Sequence, residues 1–314
     1  MIGRAVVGLA LCAVACGRSQ GIDDEQLGGL VVTPKPAGSA IDIDHAVKDT
    51  AEMGRALMAP YRATVAVLGP HELAIATETT VDEAGKQVSD LSDHTKLVVA
   101  DKNAFHATYE NSADYGREIV FAGGKLYLRP RYQRWHERGP EAPDEPAVLR
   151  DQVADAIGAT WDLLAPAIEL TDRGPAQVDG RAGRKVEVKL SPSPLPPPPE
   201  TLSQRKWREQ RSIDAVSGEI VIDADKGVPL SVKLAGTISF SREGKRYAMK
   251  VSLTSAVSAI GKPGDVIAPT TDVVATPERQ REVDDRDYLL QGIAPPLRKN
   301  HDGTAVRPHT KDKP

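Results

Sequence analysis

The chain has 314 residues, 40 basic against 44 acidic side chains, a net charge near −4, an aromatic content of 4% and only two cysteines. So mild an acidity lacks the basic footprint that nucleic acid requires. Both cysteines fall within the first sixteen residues, which leaves the remainder without a disulfide framework, a CxxC redox pair or a cysteine metal site.

The first element is a leader. Arg4 is followed by an uncharged run, Ala5 to Val14, of about ten residues, where a membrane-spanning helix needs about twenty. The stretch Ala13-Val14-Ala15-Cys16 puts small residues before a cysteine and resembles the bacterial lipoprotein box. That resemblance implies a signal peptide at 1–15 and a diacylated Cys16 as first residue of the mature chain. Cys12 fits the box less well, because the bulky Leu11 precedes it. An ordinary signal peptide containing two cysteines is the alternative. A thioether at Cys16 with several acyl chains makes a stable membrane anchor. Gly17 in place of aspartate points to the outer membrane, facing the periplasm.

Residues 16–44 are rich in Gly, Pro and Asp without a sustained period, and read as a flexible stalk. Residues 45–268 are long enough for one domain with a real core. Residues 269–314 read as a loosely ordered polar tail, with one apolar stretch at 288–297 (YLLQGIAPPL) suited to docking.

Within the domain, DHAVKDTAEMGRALMAP predicts a helix capped by Asp44 and stopped at Pro60, with Val47, Ala51, Gly54 and Met58 on one stripe. YRATVAVL alternates and reads as a strand with Tyr61, Ala63, Val65 and Val67 on one face. REIVFAGGKLYLRP reads as a hairpin with Gly123-Gly124 at its tip. EPAVLRDQVADAIGATWDLLAPAI predicts a second helix, opened by Pro146, with Leu149, Val153, Ile157, Trp161, Leu164 and Ile168 along one side. Alternation returns in RKVEVKL (Val186, Val188, Leu190), PLSVKL (Leu230, Val232, Leu234) and RYAMKVSL (Tyr247, Met249, Val251, Leu253). The last two flank a turn at Gly244, so 229–258 reads as a long hairpin. PSPLPPPPE (192–200) is a polyproline run, an extended loop with partner docking as the functional alternative. Helix, strands, helix, strands describes an α+β domain, a large antiparallel sheet with helices against one face.

Three segments, LYLRPRYQRWHERG, VDGRAGRKVEVKL and SGEIVIDADKGVPLSVKLAGTISF, are similar to motifs of the LolA/LppX-like lipoprotein carriers and lipid-binding lipoproteins. The resemblance spans roughly 45–268. It implies an incomplete antiparallel β-barrel whose concave side is closed by helices and binds acyl chains or lipoprotein anchors. Candidate cup residues are then the inward strand positions Val65, Val67, Leu230, Val232, Met249 and Val251, with Ile157, Trp161 and Leu164 of the second helix.

Sharper chemistries fit less well. DADKG (223–227) has two aspartates in calcium-loop spacing, but Gly227 comes one place early and the twelfth position is Leu234, so it reads as a turn. The scattered histidines, His71, His94, His106 and His136 among them, lack metal-ligand spacing and read as exposed. WHERGPE and DDRD read as solvated charged loops. GxSxG, GxxxxGK[ST] and GxGxxG are all missing. The expectation is therefore a tethered binding protein without enzymatic activity, metal or cofactor. An adaptor with a filled core, recruiting a protein through 192–200 or 288–297, is the alternative, and a hydrolase a distant third.

Overall fold

The computed structural model describes residues 40–275 apart from Lys102. The leader, Cys16, most of the stalk and the 288–297 stretch lie outside the described residues.

Three short helices come first: α1 (Ile43–Ala46), α2 (Thr50–Leu57) and α3 (Arg62–Leu68). The first expected helix is thus two, because two aspartates cap in succession. Asp42 accepts from the His45 amide at 3.2 Å and Asp49 from the Glu52 amide at 2.7 Å. The expected stripe breaks with it: Val47 and Gly54 are buried, but Ala51 is exposed and Met58 is 54% exposed. The expected strand over YRATVAVL is helix α3. Its buried residues, Tyr61, Thr64, Val65 and Leu68, recur at helical spacing. Gly69 ends it with a φ of 66° and an amide bonded to the Val65 carbonyl.

Six strands follow: β1 (His71–Glu83), β2 (Lys86–Asp101), β3 (Ala104–Asn111), β4 (Gly116–Ala122), β5 (Lys125–Pro130) and β6 (Trp135–Arg138). WHER is therefore a strand, not a solvated loop, with Trp135 buried beneath the Arg129 guanidinium at 4.4 Å. Helices α4 (Glu145–Val153) and α5 (Asp155–Leu164) come next, bent apart at Ala154 and closed by a 3₁₀ turn at Ala165–Ala167. The predicted stripe survives the bend, with Val153, Ile157, Trp161 and Leu164 all buried. Ile168 already belongs to β7.

Strands β7 (Ile168–Val178), β8 (Arg181–Leu190), β9 (Ser212–Asp223), β10 (Pro229–Arg242) and β11 (Lys245–Ser258) complete the second run, with β12 (Val273–Ala275) added at the end. β12 lies inside the segment expected to be tail. Between β8 and β9, residues 192–200 form neither helix nor strand, as a loop does, and lead into a 3₁₀ segment at Ser203–Gln210.

All twelve strands join one sheet in the order β12-β6-β5-β4-β3-β2-β1-β11-β10-β9-β8-β7. Every neighbouring pair is antiparallel except β12 with β6. The two meanders are joined where β1 pairs with β11. The edges β12 and β7 do not meet, so this is an unclosed antiparallel barrel wall with helices against it, an α+β fold.

The expected hairpin tips hold. Gly123-Gly124 and Glu243-Gly244 all have positive φ, as a two-residue turn between twisted strands requires. α5 lies over β10 and β11, α4 over β3, and the 3₁₀ segment over β10. No helix among the described residues is long and apolar enough to cross a membrane.

Candidate ligand trough and its helical roof

Register defines the helix-facing side of the sheet. Thr95, Ile75, Ser255, Val232, Ile220 and Val186 form one row, and Thr77, Leu253, Leu234, Gly218 and Val188 the next. Further along come Thr79, Val251, Gly236 and Val216, then Val81, Met249, Ile238 and Ile213. Side chains alternate, so these rows share one face. It is mostly aliphatic over β8–β11 and more polar over β1–β3. There the Tyr109 hydroxyl donates to Asp93 at 2.5 Å and Thr77 to the same carboxylate at 3.1 Å.

Ile157, Trp161 and Leu164 of α5 press onto this floor. Trp161 is 1% exposed and Leu164 fully buried. The helices fit one another through glycines: a methyl group added at Gly54 of α2 would stand 2.9 Å from Trp161 Nε1. Val232, Met249 and Val251 belong to this floor, as expected. Val65 and Val67 do not, since they lie on α3; Val65 is buried and Val67 half-buried. A register shift between Pro229 and Ser231 takes Leu230 out of the alternation. It packs where Gly183 and Val221 meet.

A feature that alternation alone did not disclose stands where the roof ends. Trp207 of the 3₁₀ segment lies 4.5 Å from the Phe240 ring, which stacks at 5.3 Å on Tyr247. All three rings are half-buried. The Ser203–Gln210 segment was missed because its apolar content is one tryptophan among charges.

Arg208 of that segment, 8% exposed, ties the roof down. It donates to Asp162 of α5 at 2.6 Å and pairs with Glu200 of the proline-rich loop at 3.1 Å. Arg211 donates to the Leu163 carbonyl at 3.2 Å and the Arg208 carbonyl at 2.6 Å.

Two concavities, of about 550 and 490 Å³, lie on the opposite face of the sheet. They are shallow grooves over small and polar residues, among them Ala235, Ser252, Thr80 and Lys250 in one and Ala74, Ala256, His94 and Lys96 in the other. Both are open to solvent rather than enclosed.

The DADKG turn is closed by its own backbone. Asp223 accepts from the amides of Asp225 at 3.0 Å and Lys226 at 2.7 Å, and from Arg181 at 2.6 Å, which holds its carboxyl below the usual range despite burial. Among the described residues no group of three His, Cys, Asp or Glu side chains is placed to hold a metal.

His71, read from sequence as exposed, is fully buried. Its Nδ1 lies 2.7 Å from the Gly69 carbonyl and its Nε2 2.5 Å from the Tyr61 hydroxyl. The carbonyl can only accept, so Nδ1 carries the proton and Nε2 accepts from Tyr61. Burial pulls the His71 pKa down, with a smaller contribution in the same direction from Arg150, and pushes the Tyr61 pKa up.

No family profile matches the chain, and no curated protein sequence does. Solved structures similar to it include LprF from Mycobacterium bovis, at 15% identity and a TM-score of 0.28, covering 71% of this chain and 99% of that one. LppX from Mycobacterium tuberculosis follows at 15% identity and a TM-score of 0.26, covering 68% and 98%. A LolA superfamily protein from Nitrosomonas europaea is similar at 8% identity and a TM-score of 0.19, covering 69% and 94%. These are the groups that the sequence resemblance names. TM-scores of this size carry no weight for function.

Proposed function

We propose that the protein is a bacterial envelope lipoprotein, tethered through acylated Cys16 in the outer membrane and facing the periplasm. It would hold an apolar ligand, a lipid, acyl chain or lipoprotein anchor, between α5 and the sheet. The observation that carries this reading is the half-buried stack Trp207–Phe240–Tyr247 at the end of the roof. It continues the aliphatic floor through Ile238 and Met249 and offers apolar surface where an acyl chain would enter. The roof meets the floor through side chains, so a chain sliding inward replaces Leu164 or Trp161 contacts with equivalent ones. Binding would draw on about 25 cal/mol per Å² of apolar surface buried, with no bond made or broken.

Photo-crosslinking of the full chain with a diazirine fatty acid tests this reading. Adducts on Trp207, Phe240, Tyr247 or the α5 stripe support it. Adducts confined to outward residues such as Ala235 and Lys250 contradict it.

The closed interior favours a second reading. Trp161, Leu164, Val232 and Leu253 are at most 1% exposed. On that reading the core is complete and the lipoprotein is an adaptor that recruits a protein through 192–200, where Leu195 is 66% exposed, or through 288–297. Loss of a partner on changing Leu195→Ser, with no crosslink to a fatty acid, would select it.

A further inference from the structure

Arg150 of α4 is only 4% exposed, and its Nε is buried without a hydrogen-bond partner. Its guanidinium lies 6.0 Å from the centre of the Phe105 ring, which is itself fully buried. Charges in such surroundings are normally paired. Asp151, the carboxylate whose field reaches Arg150, is engaged elsewhere: it accepts from the Arg62 amide at 2.7 Å and from Arg62 Nε at 2.5 Å. Tyr61 and His71 also lie within the field of Arg150, with the Tyr61 proton committed to His71. Glu145, at the start of α4, is bound by Arg138. Where α3 and α4 meet the sheet, Arg150 thus has no carboxylate hydrogen-bonded to it among the described residues, Asp151 being taken by Arg62. Burial draws the Arg150 pKa down, as expected of a cation lacking a counterion.

The surroundings favour a head attached to a tail. Phe105 belongs to a row that runs Val99, Phe105, Phe121, Leu126 across the helix-facing side, and Leu97 and Leu73 lead from there towards the centre of the sheet.

We propose that Arg150 receives the anionic head of an amphiphile, a carboxylate or phosphate monoester, whose tail runs along the apolar row through Phe105. The missing counterion is then supplied by the ligand. This rests on the apolar-ligand reading above and adds the charge of the ligand to it.

The test compares 11-(dansylamino)undecanoic acid with its methyl ester, titrated by fluorescence into the full chain carrying Cys16→Ser. The acid should bind roughly tenfold or more tightly than the ester, the scale of a hydrogen bond to a charged group. In Arg150→Met the preference should vanish while ester affinity is kept, and Arg150→Lys should restore part of it. Arg150→Met should also melt no lower than wild type, since replacing an unpaired buried cation by an apolar side chain removes a desolvation cost. Equal affinity of acid and ester in wild type would overturn this inference and leave the apolar-ligand reading standing, a result that needs no variant. Binding of neither probe would overturn both. Displacement of the acid by inorganic phosphate alone, at concentrations that leave the ester bound, would assign a free-anion site and overturn the amphiphile.

Discussion

Leu164 of α5 fills the space above Gly236 of β10. A methyl group at position 236 would stand 2.5 Å from Leu164 Cδ2 and 3.1 Å from Cδ1, with the Ala215 carbonyl 3.3 Å away. Of the α5 side chains on the floor, Leu164 is therefore the one seated in a notch cut for it. Leu164→Ala should cost about 2–5 kcal/mol and Gly236→Ala about 1–3 kcal/mol. Together they should cost less than the sum, because the added methyl group occupies part of the space that the leucine vacates. Strict additivity in urea denaturation would mean that α5 is not seated this way.

Val232 is fully buried on the floor, between Ser255 and Ile220 on the neighbouring strands. Val232→Asp places a carboxylate there without a partner, at a cost of several kcal/mol, comparable with the whole stability of a domain. The variant should be unfolded by circular dichroism. A folded variant with an unchanged melting temperature would show the register of β10 to be wrong.

Stability should decline on mild acidification. The His71 pKa is depressed in the folded chain, while an unfolded histidine titrates near 6.5. As pH falls through that value the unfolded chain takes up a proton that the folded chain refuses, so equilibrium shifts towards unfolding. The groups facing His71, Tyr61 and Arg150, offer no negative charge to offset it. Asp172, held at about 2 by Arg184, titrates outside this window, and Asp155, raised by burial, acts in the opposite sense. The urea midpoint should drop below pH 6.5 in wild type and less in His71→Phe. An imidazole that titrates at its ordinary value by NMR would contradict the buried neutral tautomer.

Arg208 couples α5, the proline-rich loop and the 3₁₀ segment through Asp162 and Glu200. Arg208→Met should leave the Glu200 carboxylate uncompensated and cost about 1–3 kcal/mol, discounted because Asp162 is partly solvated. Limited proteolysis should then cut within 192–211 faster than in wild type. Unchanged cleavage would mean that Arg208 does not hold the loop.

Strands with strict alternation were legible in sequence because one face is buried and the other wet, as in RYAMKVSL. Two-residue turns were legible because only glycine is at ease at positive φ, as at Gly124 and Gly244. YRATVAVL was not, because its five small and β-branched residues, Ala63 to Val67, satisfy both periods, and only Pro60 and Gly69 at its ends announce a helix. Leu230 escaped because a bulge resets alternation without a compositional mark. Arg150 and His71 escaped for a different reason: each lies on a segment whose polar residues are mostly solvated, and only the packing of α3 and α4 against the sheet buries them. The floor and roof of the trough were readable as apolar periodicity, whereas the aromatic stack unites residues 207, 240 and 247 through tertiary contact alone.

Native mass spectrometry of the full chain carrying Cys16→Ser, purified gently from cells, tests the apolar-ligand reading most directly. The prediction is a retained mass of lipid size that is lost on denaturation and reduced when Phe240→Asp is introduced at the end of the trough. A bare protein mass, unchanged after incubation with envelope lipid extract, would contradict it and leave the filled-core adaptor.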